Sequence, residues 1–149
     1  MPVQEREKSN LSSTQFIPDI ERIYHAWDAA LSRNDIAAIL GLYAPDAELE
    51  SPLVSHLLER EDGVCRGREE LTRFFEILST RKPKIRQFYR NGYYTDGRKV
   101  IWEYPHFTPT GEQMDFVEVM EIADGLIQKH RVYWGWFGFN VLQHNQYRQ

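Results

Sequence analysis

The chain has 149 residues, 42% hydrophobic and 13% aromatic, with a formal net charge of −4 and a pI near 5.7. That length suits one domain able to bury roughly two-thirds of its unfolded-chain surface, and the acidic balance argues against nucleic acid as the main partner. Cys65 is the single cysteine, which excludes an intrachain disulfide and a thiolate metal cluster; with no apolar run of membrane-spanning length, the expectation is a cytoplasmic protein with no membrane partner.

Residues 1–15 are polar and lack the apolar stretch of a signal peptide, so they read as a disordered arm ahead of one domain over residues 16–149. Ile17 to Ser32 then places Ile20, Ile23, Tyr24, Trp27, Ala30 and Leu31 on one side, the spacing of an amphipathic helix. Asn34 or Asp35 caps a second helix carrying Ile36, Ile39, Leu40 and Tyr43, which Pro45 ends. Ala47 to Ser51 reads as a short strand with Leu49 and Ser51 inward, stopped by Pro52. Residues 53–66 form a mixed connection, apolar at its start and charged at its end, and are a candidate lid. A third helix runs from Gly67 to about Thr80, with Leu71, Phe74, Phe75 and Leu78 at helical spacing.

The remainder reads as β. Lys84 to Thr95 is one strand with Gly92 as a bulge, and Asp96-Gly97 turns it into Arg98 to Phe107, where Val100, Trp102, Tyr104 and His106 share a face. Thr108 to Gly111 is the next turn. Gly135 and Gly138 are expected to bend the last strand. Helices followed by an antiparallel meander give an α+β domain, with the helices covering one sheet face.

The last hairpin carries the most chemistry. Alternation on its first arm puts Glu118 beside Met114, Phe116, Met120 and Ile122, and a carboxylate on an apolar face is expensive unless paired, neutralised or in use. The second arm has His130, Val132 and Trp134 on one face, with Lys129, Arg131 and Tyr133 on the other. A two-residue loop at Asp124-Gly125 sets Glu118 opposite Arg131, as a structural ion pair; a three-residue loop including Ala123 sets it opposite His130, as an acid–base pocket.

The element order, with Ala29-Ala30-Leu31-Ser32-Arg33-Asn34-Asp35, Leu42-Tyr43-Ala44-Pro45-Asp46-Ala47 and Asp124-Gly125-Leu126-Ile127, resembles the SnoaL-like, nuclear transport factor 2-like superfamily over about residues 17 to 137. The resemblance implies a cone: a curved antiparallel sheet wrapped around three N-terminal helices, enclosing an apolar pocket. Members include isomerases, dehydratases, epoxide hydrolases, polyketide cyclases and proteins with no catalysis, so the fold alone chooses no function. Ketosteroid isomerase uses an Asp base, a Tyr and a protonated Asp; alignment puts Ser51, Trp27 and Glu118 at those positions. The aspartates of limonene epoxide hydrolase and of the polyketide cyclases fall on Val132, and a scytalone dehydratase histidine falls near Gln87. The same alignment turns His130, Val132 and Trp134 into the pocket.

Glu118 is therefore the foremost candidate for a general acid or a neutral hydrogen-bond donor, with His130 as its partner and the Tyr24 hydroxyl assisting. Trp27, Ser51, Trp102, Tyr104, Phe116, Val132 and Trp134 are the candidate pocket. His106 lies beside a turn and reads as exposed; His25, His56 and His144 lack metal-motif spacing. Cys65 reads as a surface thiol whose neighbours Arg66 and Arg68 could lower its pKa, and the basic run Arg81 to Arg86 reads as a solvated loop. Two functions follow: a cofactor-free enzyme isomerising, cyclising or dehydrating a small, largely apolar cyclic molecule, or a non-catalytic ligand-binding or assembly domain. Val117 and Val119 on the outer sheet face suggest a homodimer.

Overall fold

The computed structural model describes residues 2–81, 90–107 and 113–143. In chain order these form α1 (Pro2–Ser32), α2 (Ile36–Leu40), β1 (Tyr43–Glu50), α3 (Pro52–Leu58), β2 (Val64–Arg66), α4 (Gly67–Arg81), β3 (Tyr94–Thr95), β4 (Lys99–Phe107), β5 (Gln113–Ala123), β6 (Leu126–Trp134) and α5 (Trp136–Gln143). The turn at residues 108–111, the basic run beyond Arg81, Gln87 and His144 lie outside the described residues, as does the side chain of His106.

The apolar stripe of α1 is buried as its spacing predicts, from Ile20 through Leu31. The helix also runs back to Pro2, where a disordered arm was expected; Gln4 to Lys8 are straight-chain residues that lose little rotamer freedom in a helix. Asp35 caps α2 by accepting from the Ala38 amide at 3.0 Å. That helix ends at Leu40 rather than at Pro45. Tyr43 is already in β1, because the Ile127 amide donates to the Leu42 carbonyl at 2.8 Å and Tyr43 pairs with Ile127. Sheet pairing here overrides the helical spacing of Tyr43.

The connection after Pro52 resolves into α3, capped by Ser51, and β2, which pairs antiparallel with β1 through Leu49 and Cys65. Cys65 is fully buried, not a surface thiol. Burial pushes the thiol up to about 12, outweighing the nearby arginine, so the expected lowering does not occur.

The six strands form one sheet in the order β2-β1-β6-β5-β4-β3. Every pairing is antiparallel except β1 with β6, which is parallel. A pure meander was expected; instead the chain places β1 early and adds β6 beside it at the end, making the sheet mixed. Of the strand expected over Lys84 to Thr95, the described part contributes only β3, and Gly92 precedes it at φ +104°. Gly135 follows β6, and Gly138 lies in the unexpected helix α5, not in a bent strand. A Cβ on Gly138 would come 2.6 Å from Trp134 Cε3, so glycine lets α5 settle on that indole.

The β5–β6 hairpin corrects both registers read from the sequence. Asp124 and Gly125 form a two-residue turn with positive φ (54° and 72°), flanked by Ala123 opposite Leu126 and Ile122 opposite Ile127. The register then slips, because Glu121 pairs with Lys129. Gln128 is the extra residue of this bulge, and its side-chain amide donates to the Ala123 carbonyl at 2.9 Å. Glu118 consequently faces Val132, and His130 faces Met120. The turn has two residues, yet His130 points inward, because the bulge shifts the second arm by one place.

Candidate active site

The inward residues of β4, β5 and β6 meet the helices around a small cavity. Glu118 and His130 stand diagonally across adjacent strands, 3% and 2% exposed. His130 Nε2 contacts Glu118 Oε2. The Tyr104 hydroxyl, brought alongside by the pairing of Tyr104 with Phe116, donates to Glu118 Oε1 at 2.7 Å. On the far side of the imidazole, the Tyr43 hydroxyl lies 2.8 Å from His130 Nδ1, and the Trp27 indole N–H donates to that hydroxyl at 3.1 Å. Burial pushes the Tyr43 hydroxyl well above the usual tyrosine range, although the Trp27 bond pulls the other way. The result is a continuous chain of polar groups: Trp27, Tyr43, His130, Glu118, Tyr104.

The cavity has a volume of about 70 Å³. Of the candidate residues, Glu118, His130, Trp27, Ser51, Tyr104, Phe116, Val132 and Trp134 line it. The walls are otherwise apolar, with Leu49, Leu53, Phe74 and Phe75 contributed by β1, α3 and α4. Phe116 and Trp134 stack at 4.8 Å. Ser51 is 4% exposed and its oxygen accepts from the Leu53 amide at 3.2 Å, so its first role is to cap α3. A wider cleft of about 480 Å³ adjoins the cavity, sharing Ser51, Val132 and Trp134 with it and bordered outside by Arg131, Tyr133 and Phe139.

Three expectations are corrected. Tyr24 does not reach Glu118: its hydroxyl donates to the Gly92 carbonyl at 3.3 Å, and Arg90 sits over its ring at 3.8 Å. The position that Tyr24 was expected to take is held by Tyr104. Trp102 is buried against Tyr24 and Trp27, with ring centroids at 5.3 and 5.7 Å, and stands behind the cavity rather than in its wall. Arg131 points to the outer face, where it pairs with Glu121 at 3.3 Å, so no ion pair joins it to Glu118. His25 is exposed and meets Glu21 at 3.2 Å. Among the described residues, no group of three or more His, Cys, Asp and Glu side chains could hold a metal ion, and no helix is long and apolar enough to cross a membrane.

Tyr43 is the site residue that sequence reasoning missed, because its spacing fits the apolar face of α2. The available signal was Pro45 two positions later, which favours extended backbone over a continuing helix.

Residues 20–130 match the family described as SnoaL-like domain. No curated protein matches the chain by sequence. Among solved structures, the fold is similar to a SnoaL-like protein of unknown function from Burkholderia thailandensis, at 21% identity and a TM-score of 0.66, covering 80% of this chain and 96% of that one. It is also similar to a steroid delta-isomerase from Pseudomonas aeruginosa, at 18% identity and a TM-score of 0.66, covering 87% of this chain and 90% of the other. At these identities the likeness establishes the fold alone.

Proposed function

The chain belongs to the SnoaL-like domain family, and from that premise we propose that it binds a small, largely apolar cyclic molecule and catalyses a cofactor-free isomerisation, cyclisation or dehydration. Glu118 is the group that takes and returns the proton. One observation carries this reading: a carboxylate 3% exposed stands in the wall of an apolar cavity, held by one tyrosine and one histidine. Such a site excludes the water that would weaken its electrostatics, and a positioned acid–base group contributes about 10²–10⁴-fold to proton transfer. The fold's likeness to a steroid delta-isomerase supports the same class of chemistry.

The cavity volume limits the ligand. A cavity of roughly 150 Å³ takes up benzene, and this one measures about 70 Å³. A ring therefore enters by displacing the wall shared with the outer cleft, formed by Ser51, Val132 and Trp134.

The test is a panel of small cyclic ketones, enones and hydroxyketones followed by NMR for turnover and by thermal shift for binding. Glu118→Gln should reduce turnover by about 10²–10⁴-fold while leaving the thermal shift nearly intact. Undiminished turnover in that variant would overturn the assignment. The second reading, a non-catalytic binding domain, is favoured by Ser51 and Val132, a helix cap and an apolar side chain at the positions where the superfamily resemblance implies a catalytic aspartate. It is sustained if panel members bind and none is turned over.

The same proposal includes a homodimer formed through the outer sheet face, where Val117 and Val119 are half-buried and Ile101 and Tyr133 are exposed. Sedimentation velocity at micromolar concentration should give twice the 17.7 kDa chain mass. A monomer at that concentration removes the dimer from the proposal.

A further inference from the structure

We infer that Tyr43 is a positioning residue: its hydroxyl holds His130 as the Nε2–H tautomer and aims that proton at Glu118, leaving the carboxylate as the group that meets a ligand. Donor and acceptor roles along the relay fix the tautomer. An indole nitrogen can only donate, so the bond from Trp27 to Tyr43, 3.1 Å long, uses the tyrosine oxygen as acceptor. The Tyr43 hydroxyl hydrogen then has a single acceptor among the described residues, His130 Nδ1 at 2.8 Å. A neutral imidazole that accepts at Nδ1 carries its proton at Nε2, and Nε2 faces Glu118 Oε2. Glu118 thus accepts from His130 on one oxygen and from Tyr104 on the other.

The reverse arrangement fails at Tyr43. A proton on Nδ1 would point at an oxygen already receiving the Trp27 N–H, and the tyrosine hydrogen would lose its acceptor in a site where Tyr43 is 1% exposed. An unmade hydrogen bond at such a place is costly. Both imidazole nitrogens are committed, Nδ1 to Tyr43 and Nε2 to Glu118, so His130 offers neither to a ligand. Glu118 keeps unshared electron pairs on both oxygens and lines the cavity. The imidazole supports the carboxylate; the carboxylate acts.

This inference rests, for its functional meaning, on Glu118 being the proton-transfer group, and the experiment separates the two. Protein labelled with ¹⁵N-histidine is observed by long-range ¹H–¹⁵N correlation near neutral pH. Wild type should show the His130 pattern of a protonated Nε2 and a hydrogen-bonded, unprotonated Nδ1. Tyr43→Phe should lower the ratio of that tautomer to the other by about tenfold, the loss of one hydrogen bond. Trp27→Phe, which keeps the tyrosine, should retain the Nε2–H form. A wild-type spectrum with Nδ1 protonated overturns the inference, and so does a folded Tyr43→Phe with an unchanged pattern. The wild-type spectrum decides alone if Tyr43→Phe does not fold. Glu118→Gln that loses turnover with the tautomer intact upholds both readings; intact turnover with the Nε2–H form present removes the role of Glu118 and leaves that of Tyr43.

Discussion

His130→Ala should lower the unfolding free energy by about 3–5 kcal/mol, the loss expected when a buried carboxylate is left without its partner. The change strands two partners at once. Glu118, 3% exposed, keeps only Tyr104, and the Tyr43 hydroxyl loses the acceptor at 2.8 Å. The cavity left by the ring adds to the cost. Replacing both members, as Glu118→Leu with His130→Leu, should recover part of it, because the uncompensated carboxylate is then gone while the Tyr43 hydroxyl still lacks its acceptor. Urea titrations with an unchanged slope measure these differences. A His130→Ala loss below about 1 kcal/mol would mean that water reaches Glu118 and that the pair is not held in an apolar surround.

Inserting one residue between Glu121 and Ile122 should cost about 3–6 kcal/mol, whereas deleting Gln128 should be tolerated. The contrast follows from the bulge. The inserted residue gives Gln128 a partner and makes the ladder regular, so alternation no longer skips a place. The tip and the body of the hairpin then fall out of phase, and the cheaper outcome turns Ile122 and Ile127 outward. These are 3% and 0% exposed, and each contributes about 1.5–3 kcal/mol by burial. Deleting Gln128 also makes the ladder regular, but it keeps Glu121 opposite Lys129 and Met120 opposite His130. The side-chain bond from Gln128 to Ala123 is lost, at about 0.5–1.5 kcal/mol. Equal stability of the two variants in thermal unfolding would show that the bulge does not set the phase.

The bulge also explains how far the site could be read in advance. Alternation on β5 put Glu118 inward without help from the fold, and the grouping of His130, Val132 and Trp134 was equally legible from period-two spacing. Their relation was not. A turn-length rule assumes an unbroken ladder, and nothing in Ile127-Gln128-Lys129 announces an extra residue. Tyr104 was left open for want of a strand register, which the pairing of β4 with β5 supplies. Tyr24 was chosen because a buried hydroxyl seeks a partner; it finds the Gly92 carbonyl, a backbone acceptor that no side-chain pattern displays. The family resemblance led to the right fold, but the parallel placement of β1 beside β6 lay beyond reasoning from neighbours in sequence. Residues 59–66 illustrate the same limit, since β2 is short and takes its pairing from β1.

The parallel pair of β1 and β6 has a kinetic meaning. Tyr43 and His130 meet across 87 positions of the chain, and closing so large a loop precedes any reward from the contacts it makes. The imidazole cannot acquire its tyrosine partner in a nascent chain that ends before the final strand. Completion of the polar relay therefore coincides with docking of the last strand, and a spectroscopic signal from His130 reports when β6 has settled beside β1, rather than when the first helices have formed.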